Sequence, residues 1–229
     1  QMISEMFAHG FIQRAFIGGV LVSLCAALLG VSLVLKRYSM IGDGLSHVSF
    51  GALSIAIALG FAPIKFSIPI VIIAAFFLLR LAENGKMKSD AAIAMVSASS
   101  LAIGVIVTSL TTGLSTDVCS YMFGSILAMS KDDVIFSVVL LMFGFCYHRI
   151  FAVTFDESFS KATGVKVGMY NTLISIFTAV TVVLGIKMMG AMLISSLIIF
   201  PALTSMRVFK SFLSVTICSA ILAVINFTA

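Results

Sequence analysis

The sequence predicts an all-α fold, a polytopic transmembrane bundle of about eight helices. Of the 229 residues, 61% are hydrophobic and only 10% are charged, and the mean hydropathy is +1.21. Soluble domains are about half apolar and a quarter charged, so this composition excludes an ordinary soluble protein. A bilayer core about 30 Å thick needs roughly 20 apolar residues per crossing, and such runs recur along the chain. We therefore expect residues 1–229 to form a single membrane domain.

The apolar runs are separated by short polar segments. The predicted spans cover residues 14–35, 42–60, 66–82, 91–110, 133–150, 168–186, 188–206 and 211–227. Between the fourth and fifth of them, residues 115–133 contain an apolar stretch too short to cross. We expect this segment to be an outer-face loop or half-helix packed on protein.

The basic residues predict the orientation of the bundle. If every span crosses once, ten of the 14 Lys and Arg residues lie on the same side as residues 36–41. The positive-inside rule places that side in the cytoplasm and the amino terminus outside. The net charge of +5 therefore records orientation and does not indicate a nucleic-acid partner.

Two ionisable side chains lie within the second apolar run, in the stretch GDGLSHVSF at positions 42–50. Asp43 and His47 are four residues apart, so a helix projects both from one face, about 6 Å from each other. Counting 1.5 Å per residue from Arg37 places Asp43 about 9 Å and His47 about 15 Å into the bilayer. Each group costs about 3 kcal/mol or more at such depth unless it faces protein or water.

Two interpretations of this pair remain open on the residues alone. In the first, Asp43 and His47 hydrogen-bond to each other or to neighbouring backbone and fix helix packing. In the second, they line a hydrophilic path and bind a cation, for which imidazole and carboxylate together suit Zn²⁺, Mn²⁺ or Fe²⁺. Small residues on the same helix allow neighbouring helices to approach closely, which favours a helix buried around such a path.

The longest polar insertion on the predicted cytoplasmic side is FDESFSKATGVKVG, residues 155–168. It predicts a short amphipathic helix over about 156–164. Its features are an acidic amino terminus, an apolar stripe and a terminating glycine: Asp156 and Glu157, then Phe155, Phe159 and Ala162, then Gly164. An apolar stripe on a cytoplasmic connection favours docking into a groove on a partner. A helix lying on the membrane surface is the alternative.

A proline occurs within the seventh predicted span, in the stretch MMGAMLISSLIIFPALTSMRV at 188–208. Pro201 frees a backbone carbonyl, so it can form a hinge or offer a ligand. With Ser195 and Ser196 it forms a candidate hinge or path segment, although proline kinks are also common structural features.

Four stretches, in this order and at this spacing, resemble the membrane permease subunit of the bacterial manganese, zinc and iron ABC importer family, of the zinc-uptake type. They are FIQRAFIGGVLVSLCAALLGVSLVLKRYSMIGDGLSHVSFGAL, YMFGSILAMSKDD, TFDESFSKATGVKV and MMGAMLISSLIIFPALTSMRV. The resemblance covers most of the chain. It implies a multi-pass protein of the bacterial cytoplasmic membrane.

The resemblance also implies partners and residue roles. Two permease subunits pair, each carries a cytoplasmic ATPase subunit that binds ATP, and an extracytoplasmic metal-binding protein delivers Zn²⁺ or Mn²⁺. Asp43 and His47 carry over to the translocation path, and residues 156–164 carry over to the element that contacts the ATPase. No resident cofactor is implied. Relatives usually continue for one more helix after the stretch matching 211–227.

This chain differs from the family pattern at one position beside Asp43. Relatives often have Ala or Thr where this chain has Gly44, which we expect to loosen the helix by about 1 kcal/mol relative to alanine.

Other functions are weighed against this one. The sequence holds no GxxxxGK[ST] stretch, so we expect ATP hydrolysis on a separate subunit and no enzyme activity in this chain. The rival hypothesis is an ion-gradient-driven secondary transporter or channel in which Asp43 and His47 relay protons. A permease for siderophores, haem or cobalamin fits less well, because those substrates bring their own ligands. Among metals, the affinity order favours zinc over manganese.

Overall fold

The structure is a computed structural model that describes residues 10–36, 38, 40–83, 89–111, 124, 153–154 and 157–228. All the regular structure in these residues is helical, which confirms the predicted all-α class. The helices are α1 (Gly10–Leu35), α2 (Ile41–Ala58), α3 (Pro63–Glu83), α4 (Ser89–Leu110), α5 (Glu157–Ala162), α6 (Val167–Met189), α7 (Ala191–Val208) and α8 (Phe212–Thr228).

Seven of these helices correspond to predicted spans, and α5 corresponds to the short amphipathic helix predicted over about 156–164. By length and composition, α1, α2, α4, α6 and α7 can cross a membrane, whereas the apolar stretches of α3 and α8 are shorter, at 65–78 and 212–228. The predicted span at 133–150 lies outside the described residues. So does the segment 115–133, apart from Gly124.

The boundary between α6 and α7 differs from the predicted one. We expected a break at Lys187, but α6 continues to Met189 and the chain turns at Gly190, whose φ is +85°. Glycine is the residue that adopts positive φ without a steric penalty, so the turn forms there. Lys187 instead lies in the last turn of α6, where a cation interacts favourably with the helix dipole.

The main core joins α1, α2, α3, α6 and α7 through fully buried aliphatic side chains. Examples are Leu33, Leu45, Val71, Ile174 and Ile198. At one end of the bundle, Lys36 Nζ donates a hydrogen bond to Asn171 Oδ1 over 2.5 Å. The end of α1 and the start of α6 therefore lie on the same side, as alternate crossings require.

Helices α1 and α7 approach closely at Gly30. A Cβ there would lie 2.0 Å from the Ile198 carbonyl oxygen, and a backbone atom cannot rotate away. We expect Gly30→Ala to lower the free energy of unfolding by about 1–3 kcal/mol, the usual cost of overpacking. The measurement is the unfolding midpoint of the purified protein in detergent.

The matched control is Gly168→Ala, near the start of α6. A Cβ at Gly168 meets nothing within 4 Å, so alanine should leave stability unchanged or raise it by up to about 1 kcal/mol. Equal shifts in the two variants would contradict the close contact at Gly30.

Candidate functional site

Helix α2 is enclosed by its neighbours because its small residues let them approach. Thirteen of its 18 residues are buried. Gly42 and Ser46 face α7, whereas Gly44 and Gly51 face α4. These contacts define which sides of α2 are covered by protein.

Asp43 and His47 lie on the face of α2 between those two contacts. At 100° per residue, their directions fall between the side that packs on α7 and the side that packs on α4. The Asp43 side chain is 47% exposed and that of His47 is 27% exposed. The two ionisable residues of α2 thus lie on a partly exposed face, between the sides of the helix that pack on α4 and on α7.

The two side chains are close without being hydrogen-bonded. His47 Nε2 lies 3.7 Å from Asp43 Oδ2, which is too long for a hydrogen bond. Within the described part of the chain, neither side chain has another hydrogen-bond partner. The mutual hydrogen bond of the packing interpretation is therefore absent from this structure.

The separation of these atoms suits a shared ion. Two ligand atoms bound tetrahedrally at about 2.1 Å from one ion lie about 3.4 Å apart, so a small side-chain rotation suffices. Among the residues that the structure describes, no cluster of three or more His, Cys, Asp or Glu residues forms. That part of the protein therefore offers two such ligands at this point.

The structure gives the position of the pair relative to the start of its own helix. The sequence count began at Arg37, whereas α2 begins at Ile41. Along the helix axis, Asp43 is about 3 Å and His47 about 9 Å from that end. Asp43 therefore lies in the first turn of α2, where the positive end of the helix dipole stabilises a carboxylate. Sequence reasoning missed this stabilisation because it measured the position of Asp43 from Arg37 and not from the start of α2.

The structure separates the three residues predicted as a path or hinge segment. Ser195 is buried, and its Oγ lies 3.5 Å from Ser46 Oγ, so it borders the α2–α7 contact beside the pair. Ser196 faces elsewhere and donates to the Met192 carbonyl over 2.8 Å. Pro201 is buried within α7, which continues through it as one helix. Of the three, Ser195 alone lies next to the face that carries Asp43 and His47.

The short helix α5 ends as Gly164 predicts. Gly164 has a φ of +80°. Its N–H donates to the Lys161 carbonyl over 3.1 Å, and the Val165 N–H donates to the Ser160 carbonyl over 3.0 Å. These two bonds form a Schellman motif, which confirms the left-handed conformation predicted for Gly164.

The apolar stripe of α5 is exposed where the structure describes it. Phe159 is 65% exposed and Ala162 is also exposed, whereas Ser160 is buried. Phe155 and Asp156 lie outside the described residues, and α5 begins at Glu157. Among the described residues of α5, the aromatic side chain of Phe159 is therefore mostly exposed.

Gly124 shows where part of the segment 115–133 lies. Its φ is +71°, and a Cβ there would be 2.3 Å from the Gly190 nitrogen. Gly124 therefore packs against the turn between α6 and α7, at the end of the bundle predicted to be outer. The sequence pattern gave no signal for this pairing of two glycines.

Gly44 fits closely against α4. A Cβ there would lie 2.5 Å from Ile93 Cγ2, so the expected gain of about 1 kcal/mol in helix propensity from alanine meets a steric cost. We expect Gly44→Ala alone to lower the unfolding midpoint. Combined with Ile93→Leu, which removes that methyl group, it should recover most of the loss.

A double-mutant cycle over Gly44→Ala and Ile93→Leu measures this coupling, which we expect to be about 1 kcal/mol. Additive effects of the two substitutions would show that the contact is not specific.

Comparison with known proteins decides the family. The family described as "ABC 3 transport family" matches residues 8–229 of this chain. The chain belongs to the ABC 3 transport family. It is accordingly a multi-pass membrane protein, as the composition predicted.

Several relatives in this family are similar over most of their length. A probable metal transport system membrane protein of Treponema pallidum is 30% identical, over 96% of this chain and 85% of the relative. The manganese import system permease protein ScaB of Streptococcus gordonii is 29% identical, over 97% and 81%. The high-affinity zinc uptake system membrane protein ZnuB of Haemophilus influenzae is 28% identical, over 84% and 76%.

A solved structure shares the fold of this ABC 3 family chain. It is PsaBC from Streptococcus pneumoniae in complex with Fab, with a TM-score of 0.78, 27% identity and coverage of 97% of this chain and 82% of the other. The resemblance stated from the four sequence stretches is thereby confirmed at the level of family and fold.

Proposed function

We propose that this chain is the membrane permease subunit of an ATP-driven importer that moves a divalent transition metal ion, preferably zinc, across the cytoplasmic membrane. The observation that carries the proposal is the pair Asp43 and His47, which lie 3.7 Å apart on a partly exposed face of α2 and have no hydrogen-bond partner among the described residues. Relatives named for zinc uptake, manganese import and metal transport support it.

The pair supplies what an ion needs when it leaves water. Dehydration of a divalent ion is costly, and the Asp43 carboxylate offsets part of that cost with its charge. The His47 imidazole binds as a ligand when it is deprotonated. Among the described residues the pair offers one carboxylate and one imidazole, and two such ligands alone hold an ion briefly, which suits passage rather than storage.

The ligand types limit the cargo. Imidazole with carboxylate accommodates Zn²⁺, Mn²⁺ and Fe²⁺, and at a given site of this kind zinc binds more tightly than manganese. The names of the relatives include both metals. We therefore expect zinc to be the preferred ion and the delivery protein to contribute to selection.

The exposed face of α5 is the proposed contact with the ATPase. Phe159 offers a large apolar side chain on the side of the bundle that holds most basic residues, and exposed aromatic anchors of this kind bind grooves on partners. The Schellman turn after α5 leads directly into α6, and Asn171 of α6 accepts the hydrogen bond from Lys36 just before α2.

This chain of contacts suggests how nucleotide-driven motion reaches the pair. In the proposed complex, two permease subunits and two ATPase subunits pair, and an extracytoplasmic protein delivers the ion. Closure of the ATPase subunits moves α5, and α6 and α2 follow as rigid bodies. The site at Asp43 and His47 then opens alternately to the outside and to the cytoplasm.

Transport by reconstituted vesicles tests the energy source. Proteoliposomes holding this chain with its co-expressed ATPase should take up zinc only with ATP in the compartment facing the ATPase. Uptake driven by a pH gradient without ATP would instead support a secondary transporter with a proton relay.

Metal analysis of cells tests the cargo. Cells lacking this protein should contain less zinc when zinc is scarce in the medium, with manganese and iron measured in the same samples. A selective fall in manganese or iron would contradict the preference for zinc without contradicting the permease function.

A further inference from the structure

A second feature lies away from the pair, at the end of the bundle where α1 ends and α7 connects to α8. A cavity of about 320 Å³ opens there. It is lined by apolar side chains and one cation: Leu35, Met206, Phe209, Phe212, Val215 and Lys210. Its floor adjoins a small buried cluster of Val31, Ala202 and Val215. We call it the α1/α7/α8 groove.

The predicted orientation of the bundle puts the groove at the boundary between the bilayer and the cytoplasm. The same end of the bundle holds Lys36 and the start of α6, and the distribution of basic residues places this end inside. Around it, Val208 is 67%, Phe209 42% and Leu213 57% exposed. In a membrane protein, exposed apolar side chains at such a position face lipid, so the groove is accessible to hydrocarbon chains.

The charge at the rim of the groove is positive. Arg207 in the last turn of α7 and Lys210 just after it are both exposed, and neither has an ion pair with a carboxylate within the described residues. A lysine stem packs along apolar surface while its amine stays at the level of the headgroups. Basic pockets between helices on the cytoplasmic side attract anionic headgroups.

We propose that the α1/α7/α8 groove binds an anionic phospholipid of the cytoplasmic leaflet. One acyl chain lies against Met206 and Phe212, and the headgroup phosphate pairs with Lys210. This inference requires the membrane position of the chain but not the transport of metal, so either can fail without the other.

The test measures lipid binding to the purified permease–ATPase complex in detergent. Phosphatidylglycerol and phosphatidylcholine are titrated separately, and bound lipid is counted by native mass spectrometry. Wild type should prefer phosphatidylglycerol. Lys210→Gln should weaken phosphatidylglycerol binding about fivefold and leave phosphatidylcholine unchanged, as expected for one lysine near an anionic surface.

Two further variants sharpen the result. Met206→Trp fills the groove and should reduce the binding of both lipids, whereas Lys65→Gln, an exposed lysine on the opposite side, should change neither. Unfolding midpoints check that each variant is folded. Equal phosphatidylglycerol binding by wild type and Lys210→Gln would overturn the proposal, as would a Met206→Trp variant that is folded and binds both lipids normally.

Discussion

His47→Ala is expected to abolish metal uptake while the complex still assembles and hydrolyses ATP. The substitution removes the imidazole from the face of α2 between its contacts with α4 and α7 and leaves Asp43 as the single ligand of the described pair. Removing even an outer-shell partner of a metal site typically costs 10- to 100-fold, so we expect at least a tenfold loss here. Uptake of ⁶⁵Zn into ATP-loaded proteoliposomes measures it.

Asp43→Asn should have a comparable effect through a different cause. It preserves the shape of the side chain but removes the charge that offsets the lost hydration of the ion. Because Asp43 is partly exposed and makes no hydrogen bond to described residues, the substitution should leave the free energy of unfolding within about 0.5 kcal/mol of wild type.

The control for both variants is Ile57→Ala, a partly buried position near the other end of α2. Ile57→Ala removes apolar side-chain volume from the same helix but no candidate ligand, so it should retain uptake. Wild-type uptake by His47→Ala would show that the pair does not lie on the path.

Phe159→Asp is expected to release the ATPase from the permease. It replaces the exposed aromatic side chain of α5 by a charge that cannot enter an apolar groove. Central aromatic anchors contribute at least about 2 kcal/mol to an interface, so affinity should fall about 30-fold or more. Co-purification of the ATPase and permease-dependent ATP hydrolysis both report the loss.

Leu59→Asp provides the comparison for this experiment. Leu59 is 61% exposed, close to the 65% of Phe159. It directly follows the carboxyl end of α2, which is predicted to lie on the outer side of the membrane. The same change of charge there should leave ATPase binding intact. Binding that survives Phe159→Asp would place the ATPase contact elsewhere, and equal losses in both variants would indicate a general effect of the added charge.

Some features of the site followed from local pattern. The spacing of Asp43 and His47 predicts that both project from one helical face, and the short distance between their side chains confirms this. The left-handed conformation of Gly164 was also predictable. Like the spacing of the pair, the end of a helix depends on residues that are neighbours in the chain. The role of these residues in transport stays a prediction.

Other features required contacts between distant parts of the chain. Ser195 and Ser196 are adjacent in sequence, yet one faces α2 and the other does not. Helix propensity alone predicts that Gly44 destabilises its helix, but Ile93 packs where a side chain at that position would lie. Neither distinction can be inferred from composition or periodicity, because each depends on which neighbour covers which side of a helix.

Taken by itself, the sequence determined the membrane class, the alternation of spans and the polar pair, because hydrophobic length and helical period are properties of consecutive residues. The tertiary structure alone decided that α4 and α7 flank that pair, that Gly30 and Gly124 lie against backbone, and that a basic groove forms beside α8. Those outcomes depend on the shapes of surfaces that meet only after the helices pack.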